Sequence, residues 1–175
     1  LIGSLGSGWA STYELNGFVR DVKVVSGTPT GSSTVPIAAA TETTGTQLLA
    51  CNSPYVKDTS SNNVTLTQSG NPTIRRFGPF DFAGTPSSDG SSVYFDGTND
   101  EMIVPAAAWD RDADYTVECW VYATDKHYIA MSRNRQAADG IIFMLLTSGE
   151  IFFGVGRDNV DSWELTYTGS VDLRY

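Results

Sequence analysis

The 175-residue chain has one histidine, two cysteines, and 11 basic side chains against 20 acidic ones, a formal net charge of −9. Each scarcity removes a class of function. Phosphate backbones are gripped by clustered Lys and Arg. The only basic groupings are Arg75–Arg76 and the spaced Arg133 and Arg135, so nucleic acid is not an expected partner. A spanning helix needs about 20 consecutive apolar residues. The longest apolar run, Ile141 to Leu146, has the length of a buried strand, and no membrane insertion is expected. Any Ser/His/Asp or Cys/His site would have to use His127, which sits in the turn-like stretch Thr124-Asp125-Lys126-His127. Cys51 and Cys119 are widely separated and fit neither a zinc spacing nor a CxxC motif. They read as two small buried hydrophobes, with a single disulfide as the alternative. Gly154-Val155-Gly156 has no following helix and makes no phosphate loop. Asn63-Val64-Thr65 matches the glycosylation sequon, which matters only in a eukaryotic secretory pathway. The first residues, Leu1-Ile2-Gly3-Ser4-Leu5, carry neither a signal-peptide pattern nor an initiator Met. The expectation is a processed chain or an excerpt from a longer polypeptide.

What is present is a series of short amphipathic segments separated by polar turns. Apolar residues make up 41% and charged residues 18%, which suits short strands rather than charged helices. In Phe18 to Val25, strict alternation places Val19, Asp21, Lys23 and Val25 on one face and Phe18, Arg20, Val22 and Val24 on the other. The second is the expected core face. Residues 26–46, rich in Thr, Ser, Ala, Gly and Pro, read as a linker or an extended arm lying over a neighbour. Strands are predicted at Gln47–Cys51, Ser91–Phe95, Glu101–Val104 and Tyr128–Met131. Val64–Thr67 alternates in the same way. The clearest strand is Tyr115 to Tyr122, with Thr116, Glu118, Trp120 and Tyr122 sharing one face. Ile141–Leu146 and Glu150–Val155 form a predicted hairpin, and Trp163–Thr168 alternates again. About ten short strands at roughly 8–12-residue spacing point to an all-β, antiparallel sandwich. The one helical candidate is a turn near Pro105–Trp109.

Two motifs resemble the laminin-G-like, concanavalin A-like jelly-roll family. They are Val93-Tyr94-Phe95-Asp96-Gly97-Thr98-Asn99-Asp100 and Asp114-Tyr115-Thr116-Val117-Glu118-Cys119-Trp120-Val121-Tyr122. The resemblance implies most of one such module over 47–175, the linker over 26–46, and the closing strands of a preceding module over 1–25. The segment Gln47-Leu48-Leu49-Ala50-Cys51 with Phe77-Gly78-Pro79-Phe80 resembles the opening of modules in multi-module structural proteins of bacteriophages. The family's last strand and hairpin are missing, so the jelly roll is expected to be incomplete. An uncovered half-sandwich is costly at about 25 cal/mol per Å² of apolar surface. Chain outside the sequence, an adjacent subunit, or residues 1–25 folding back must cover it, and an excerpt is the favoured explanation.

Three chemistries can be tested on residue pattern. Glu118 has no second carboxylate on its own strand face, whereas retaining glycoside hydrolysis needs two about 5 Å apart. No catalytic residue is assigned. Asp96, Asn99 and Asp100 in one loop, and Asp110 and Asp112 in the next, are candidate calcium ligands, with solvated turn acids the alternative. Trp120 and Tyr122, with Glu118, form a candidate glycan-binding set. Trp163 and Tyr167 belong to the same aromatic group, and four aromatics on alternating strands are more often core than sugar-binding surface. The functional expectation is a non-catalytic structural or adhesion module of a multi-module surface protein, most simply a virion tail, fibre or capsid-surface component. Its partners would be other copies or other structural proteins. The alternatives are a carbohydrate-binding module at a virion or cell surface and, more remotely, a glucanase-like enzyme. No cofactor is expected; calcium is the one candidate.

Overall fold

The computed structural model describes residues 2–3, 14–27, 38–76, 91–105, 114–124, 140–145, 150–156 and 165–170. Among them the chain is all-β, with ten strands and no helix. These are β1 (Asn16–Ser26), β2 (Thr46–Ala50), β3 (Thr67–Ser69), β4 (Thr73–Arg75), β5 (Ser92–Asp96), β6 (Glu101–Ile103), β7 (Tyr115–Ala123), β8 (Gly140–Leu145), β9 (Glu150–Gly156) and β10 (Leu165–Ser170). All pairings are antiparallel. The predicted strands at Tyr128–Met131 and the helical turn after Pro105 fall outside the described residues.

β1 organises the largest sheet, of five strands. One edge pairs with β7 over almost the whole strand. The other edge is shared, with Asn16–Val19 against β5 and Val22–Val25 against β2. β4 extends the sheet beyond β5. Smaller sheets are formed by β8, β9 and β10 and by β3 with β6. Residues 16–26 are therefore central to a sheet they share with the segment after residue 46. The core holds Ile2, Leu15, Val19, Val22, Val24, Leu48, Val93, Phe95 and Met102, and Ile151 of β9 packs against it. Two elements closing on one apolar interior make the arrangement sandwich-like. Of the three coverings considered for the apolar face, residues from the first 25 contribute directly. Ile2 bridges Met102 through two backbone hydrogen bonds of 2.9 Å.

The alternation expected for β1 needs correction. Arg20 pairs with Trp120, but Lys23 pairs with Glu118. Two residues, Asp21 and Val22, thus stand opposite the single Cys119. That is a β-bulge, and it reverses the phase of the strand. Val19 points into the core before the bulge, and Val22 and Val24 do so after it. Phe18 lies on the opposite face, its ring centroid 5.0 Å from that of Tyr94 and 6.2 Å from that of Tyr122. Asp21 takes up the extra residue at φ 53°, a left-handed conformation in which Asp is among the better-tolerated residues.

Gly17 sets how closely β7 approaches. A Cβ there would collide with the Tyr122 carbonyl oxygen and lie 2.8 Å from Ala123 Cα. Both are backbone atoms and cannot rotate away. Gly17→Ala is expected to destabilise the fold by more than about 1 kcal/mol, read as a lowered urea midpoint at unchanged slope. A neutral midpoint would show that β1 and β7 are not held at this separation.

Candidate functional site on the outward face of the central sheet

The face of β1 and β7 turned away from the core carries a group of aromatic and charged side chains. Cross-strand pairing juxtaposes Phe18 with Tyr122, Arg20 with Trp120, and Lys23 with Glu118. Val117, Cys119, Val121 and Ala123 pack against the core, which turns Glu118, Trp120 and Tyr122 to the other side. Glu118 and Tyr122 are exposed, Tyr122 at 46%, and Trp120 is half-buried. At the Tyr122 end, Asn16 ties the strands together. Its Oδ1 lies 2.8 Å from Thr124 Oγ1 and accepts a long hydrogen bond, 3.4 Å, from Tyr94 Oη.

At the bulge the face becomes a cavity of about 380 Å³. Asp21 and Lys23 of β1, Glu118, Cys119 and Trp120 of β7, and residues 38–41, Ala-Ala-Ala-Thr, line it. Asp21 and Lys23 are buried, at 2% and 7% exposure. Arg20 Nε stands 3.4 Å from Asp21 Oδ2, and Lys23 Nζ stands 3.7 Å from a Glu118 carboxylate oxygen. Burial raises the Asp21 pKa above the ordinary carboxylate value. The Ala40 backbone and the Arg20 guanidinium pull it down, and the Glu118 charge pushes it up again. Neither neighbour meets hydrogen-bond geometry at the Asp21 oxygens, which have no hydrogen-bond partner among the described residues.

The structure brings together the three residues of the predicted glycan-binding set, Glu118, Trp120 and Tyr122. It adds Asp21 and Lys23, which the sequence reading placed only in an alternating strand. Glu118 has no second carboxylate on its own strand face, and across the sheet Asp21 of the facing strand lines the same cavity. The available signal was the run Arg20-Asp21-Val22-Lys23, three charged residues in the middle of a strand otherwise built for burial. Each carboxylate has a cation beside it, so the arrangement offers oriented hydrogen-bond acceptors and one ammonium donor next to an indole.

Asp96, Asn99 and Asp100 do share one turn. The buried Asp100 carboxylate accepts from Asn71 N at 2.6 Å and Asp96 N at 3.0 Å, and Asp96 Oδ1 accepts from Thr98 N at 2.7 Å. These oxygens staple the loop to the start of β4 and the end of β5. No cluster of three or more His, Cys, Asp or Glu suited to a metal occurs among the described residues. Asp110, Asp112, His127 and Trp163 lie outside the described residues.

Cys51 and Cys119 are free thiols. The Cys51 carbonyl accepts from Asp21 N on one side of β1, and Cys119 faces the bulge from the other. Two strand spacings separate them, about 9–10 Å, beyond the roughly 7 Å Cα separation that a disulfide spans. Burial, reinforced by Glu118, pushes the Cys119 thiol up to about 12. Burial, with Cys119 and Asp21 nearby, raises that of Cys51 as well.

Comparisons with family models, curated proteins and solved structures returned no match.

Two outcomes are expected from this geometry. Both thiols should stay silent to a thiolate-specific reagent at pH 8 in the folded protein and react fully in denaturant. Rapid native reaction of Cys51 would contradict its burial, and of Cys119 its raised pKa. Between the ordinary carboxylate value and the raised folded one, the folded state keeps a proton on Asp21 that the unfolded chain has lost. Its contribution to stability is complete below the ordinary carboxylate value near about 4 and is lost as pH rises through the higher folded value. Thermal midpoints of the wild type, compared with Asp21→Asn, should therefore fall progressively as pH is raised across that window. A constant difference would refute the assignment.

Proposed function

We propose that the chain is a non-catalytic, jelly-roll-type module of a multi-module surface protein, of the kind found in virion tails, fibres or capsid surfaces, and that it works by attachment. The observation that carries this reading is the outward face of β1 and β7. A half-exposed tyrosine backed by Phe18 and Tyr94 lies beside charged side chains that are already ion-paired. Exposed aromatics braced by neighbours are typical binding anchors, because they contribute large contact area at small entropic cost. The two carboxylates of the cavity are each held by a cation, one of them shut in at 2% exposure, an arrangement suited to holding rather than turning over a ligand.

A second reading, carbohydrate recognition, is favoured by one specific feature. Glu118, Trp120 and Tyr122 all leave the sheet on the side away from the core, so an indole and a phenol are presented beside hydrogen-bonding groups. Retention of the purified chain on bacterial envelope preparations and on a glycan array, with soluble β-glucans assayed in parallel for hydrolysis, tests both readings. Retention without release of reducing ends is expected, and Tyr122→Ala should weaken it about tenfold, a loss of roughly 1.4 kcal/mol. Release of reducing ends would replace the proposal with an enzymatic one. Undiminished retention by Tyr122→Ala would move the contact surface elsewhere.

A further inference from the structure

We infer that the cavity at the β1 bulge is a pocket for one neutral, polyhydroxylated sugar ring, seated between Trp120 and residues 38–41 with its hydroxyls on Asp21 and Glu118. The inference rests on the carbohydrate reading and adds a location and a ligand class to it.

Four observations converge. The volume, about 380 Å³, lies at the lower end of small-molecule sites, about 300–1,000 Å³, and suits a single ring rather than a run of several. Trp120 lines the cavity beside polar groups, and an indole among hydrogen-bonding side chains suits a pyranose, whose C–H face is apolar and whose rim is hydroxylated. Asp21 is 2% exposed and lines the cavity, yet neither carboxylate oxygen has a hydrogen-bond partner among the described residues. Buried acceptors in this state are uncommon, and ligand hydroxyls would supply the missing donors. Finally, the charges cancel in pairs, Asp21 with Arg20 and Glu118 with Lys23. No excess charge is left to recruit an ionic ligand, and the overall charge of −9 opposes anionic glycans. Ala38, Ala39, Ala40 and Thr41 also line the cavity, with small side chains that leave the space open.

The test uses an array of neutral and sialylated glycans, together with ligand-observed NMR on methyl glucoside, mannoside, galactoside and N-acetylglucosaminide. Three variants are compared with the wild type. Ala39→Trp fills the cavity from an exposed position, Asp21→Asn removes the carboxylate while keeping a residue that tolerates positive φ, and Tyr122→Ala leaves the cavity untouched. Circular dichroism and thermal midpoints establish folding, and Asp21→Asn carries the test should Ala39→Trp not fold. The expected result is binding to neutral glycans that drops at least tenfold in Ala39→Trp and at least fivefold in Asp21→Asn. Glycan binding abolished by Tyr122→Ala but unchanged in both cavity variants would overturn the pocket and leave the carbohydrate reading standing. A wild type that retains no glycan and shows no NMR signal with any methyl glycoside would overturn both. Selective retention of sialylated glycans would overturn the neutral-ligand assignment.

Discussion

One extra residue in the central strand decides which side chains of this protein meet the core and which meet the outside. β1 is bonded along both edges, so its pleat sets the pleat of β2, β5 and β7. An uninterrupted strand would force a choice. Val19 and Val22 have opposite parity, and one of them would point outward. By inserting Asp21 against Cys119, the bulge lets both valines, and Val24, enter one interior. The same step places Phe18, Arg20, Lys23 and Val25 on the outer side, in register with Tyr122, Trp120, Glu118 and Thr116. The outward face and its cavity are thus consequences of the device that completes the core.

Burying Arg20, Asp21 and Lys23 there is not explained by stability. Desolvating a charge costs several kcal/mol, which an ion pair in a low-dielectric setting only partly offsets. Apolar replacements of similar volume at such positions are often neutral or stabilising. The ion pairs here, at 3.4 and 3.7 Å, are not short. Asp21 has no hydrogen-bond donor at its oxygens among the described residues, which makes the arrangement costlier still. Four charged side chains clustered at the middle of a central strand pair are therefore better understood as serving contact with something outside the sheet.

The strand content was largely legible. Short apolar or alternating runs bounded by polar turns located β2, β5, β6, β7 and the β8–β9 pair to within a residue or two; in β7, whose apolar set packs against the core, a one-residue slip would turn that set outward. β4, three residues long and half-exposed, escaped because so short a segment carries no period. The phase of β1 was misread for a specific reason. Alternation assumes an unbroken pleat, and the bulge residue is an Asp rather than the Gly that would have marked a positive φ. Its effect on the site followed directly. Glu118, Trp120 and Tyr122 could be grouped because they lie on one strand, whereas Asp21 and Lys23 reach Glu118 only across the β1–β7 register, which no local pattern contains. The sequence placed residues 38–41 within a linker or extended arm, and no local pattern pointed to their lining this cavity.

The outward face is graded along its length, and the grading constrains what it can hold. At the bulge end, Asp21 and Lys23 are closed in and charged; at the other end, Tyr122 is 46% exposed on an aromatic support. Trp120 lies between, and on a strand of about 3.4 Å per residue it is about 7 Å from Tyr122. A compact ligand at the closed end would have its polar groups fixed by charged partners whose positions are set by the bulge. Any extension of it along β7 would meet the aromatic surface of Trp120 and Tyr122, with Asn16 and Thr124 at its far end. Selectivity would then reside in the terminal group and reach in whatever follows. A flat protein partner matches this grading poorly, since it would cover Tyr122 and leave the recessed Asp21 oxygens without donors. An elongated, mostly uncharged chain with a hydroxyl-rich end satisfies both ends of the face at once.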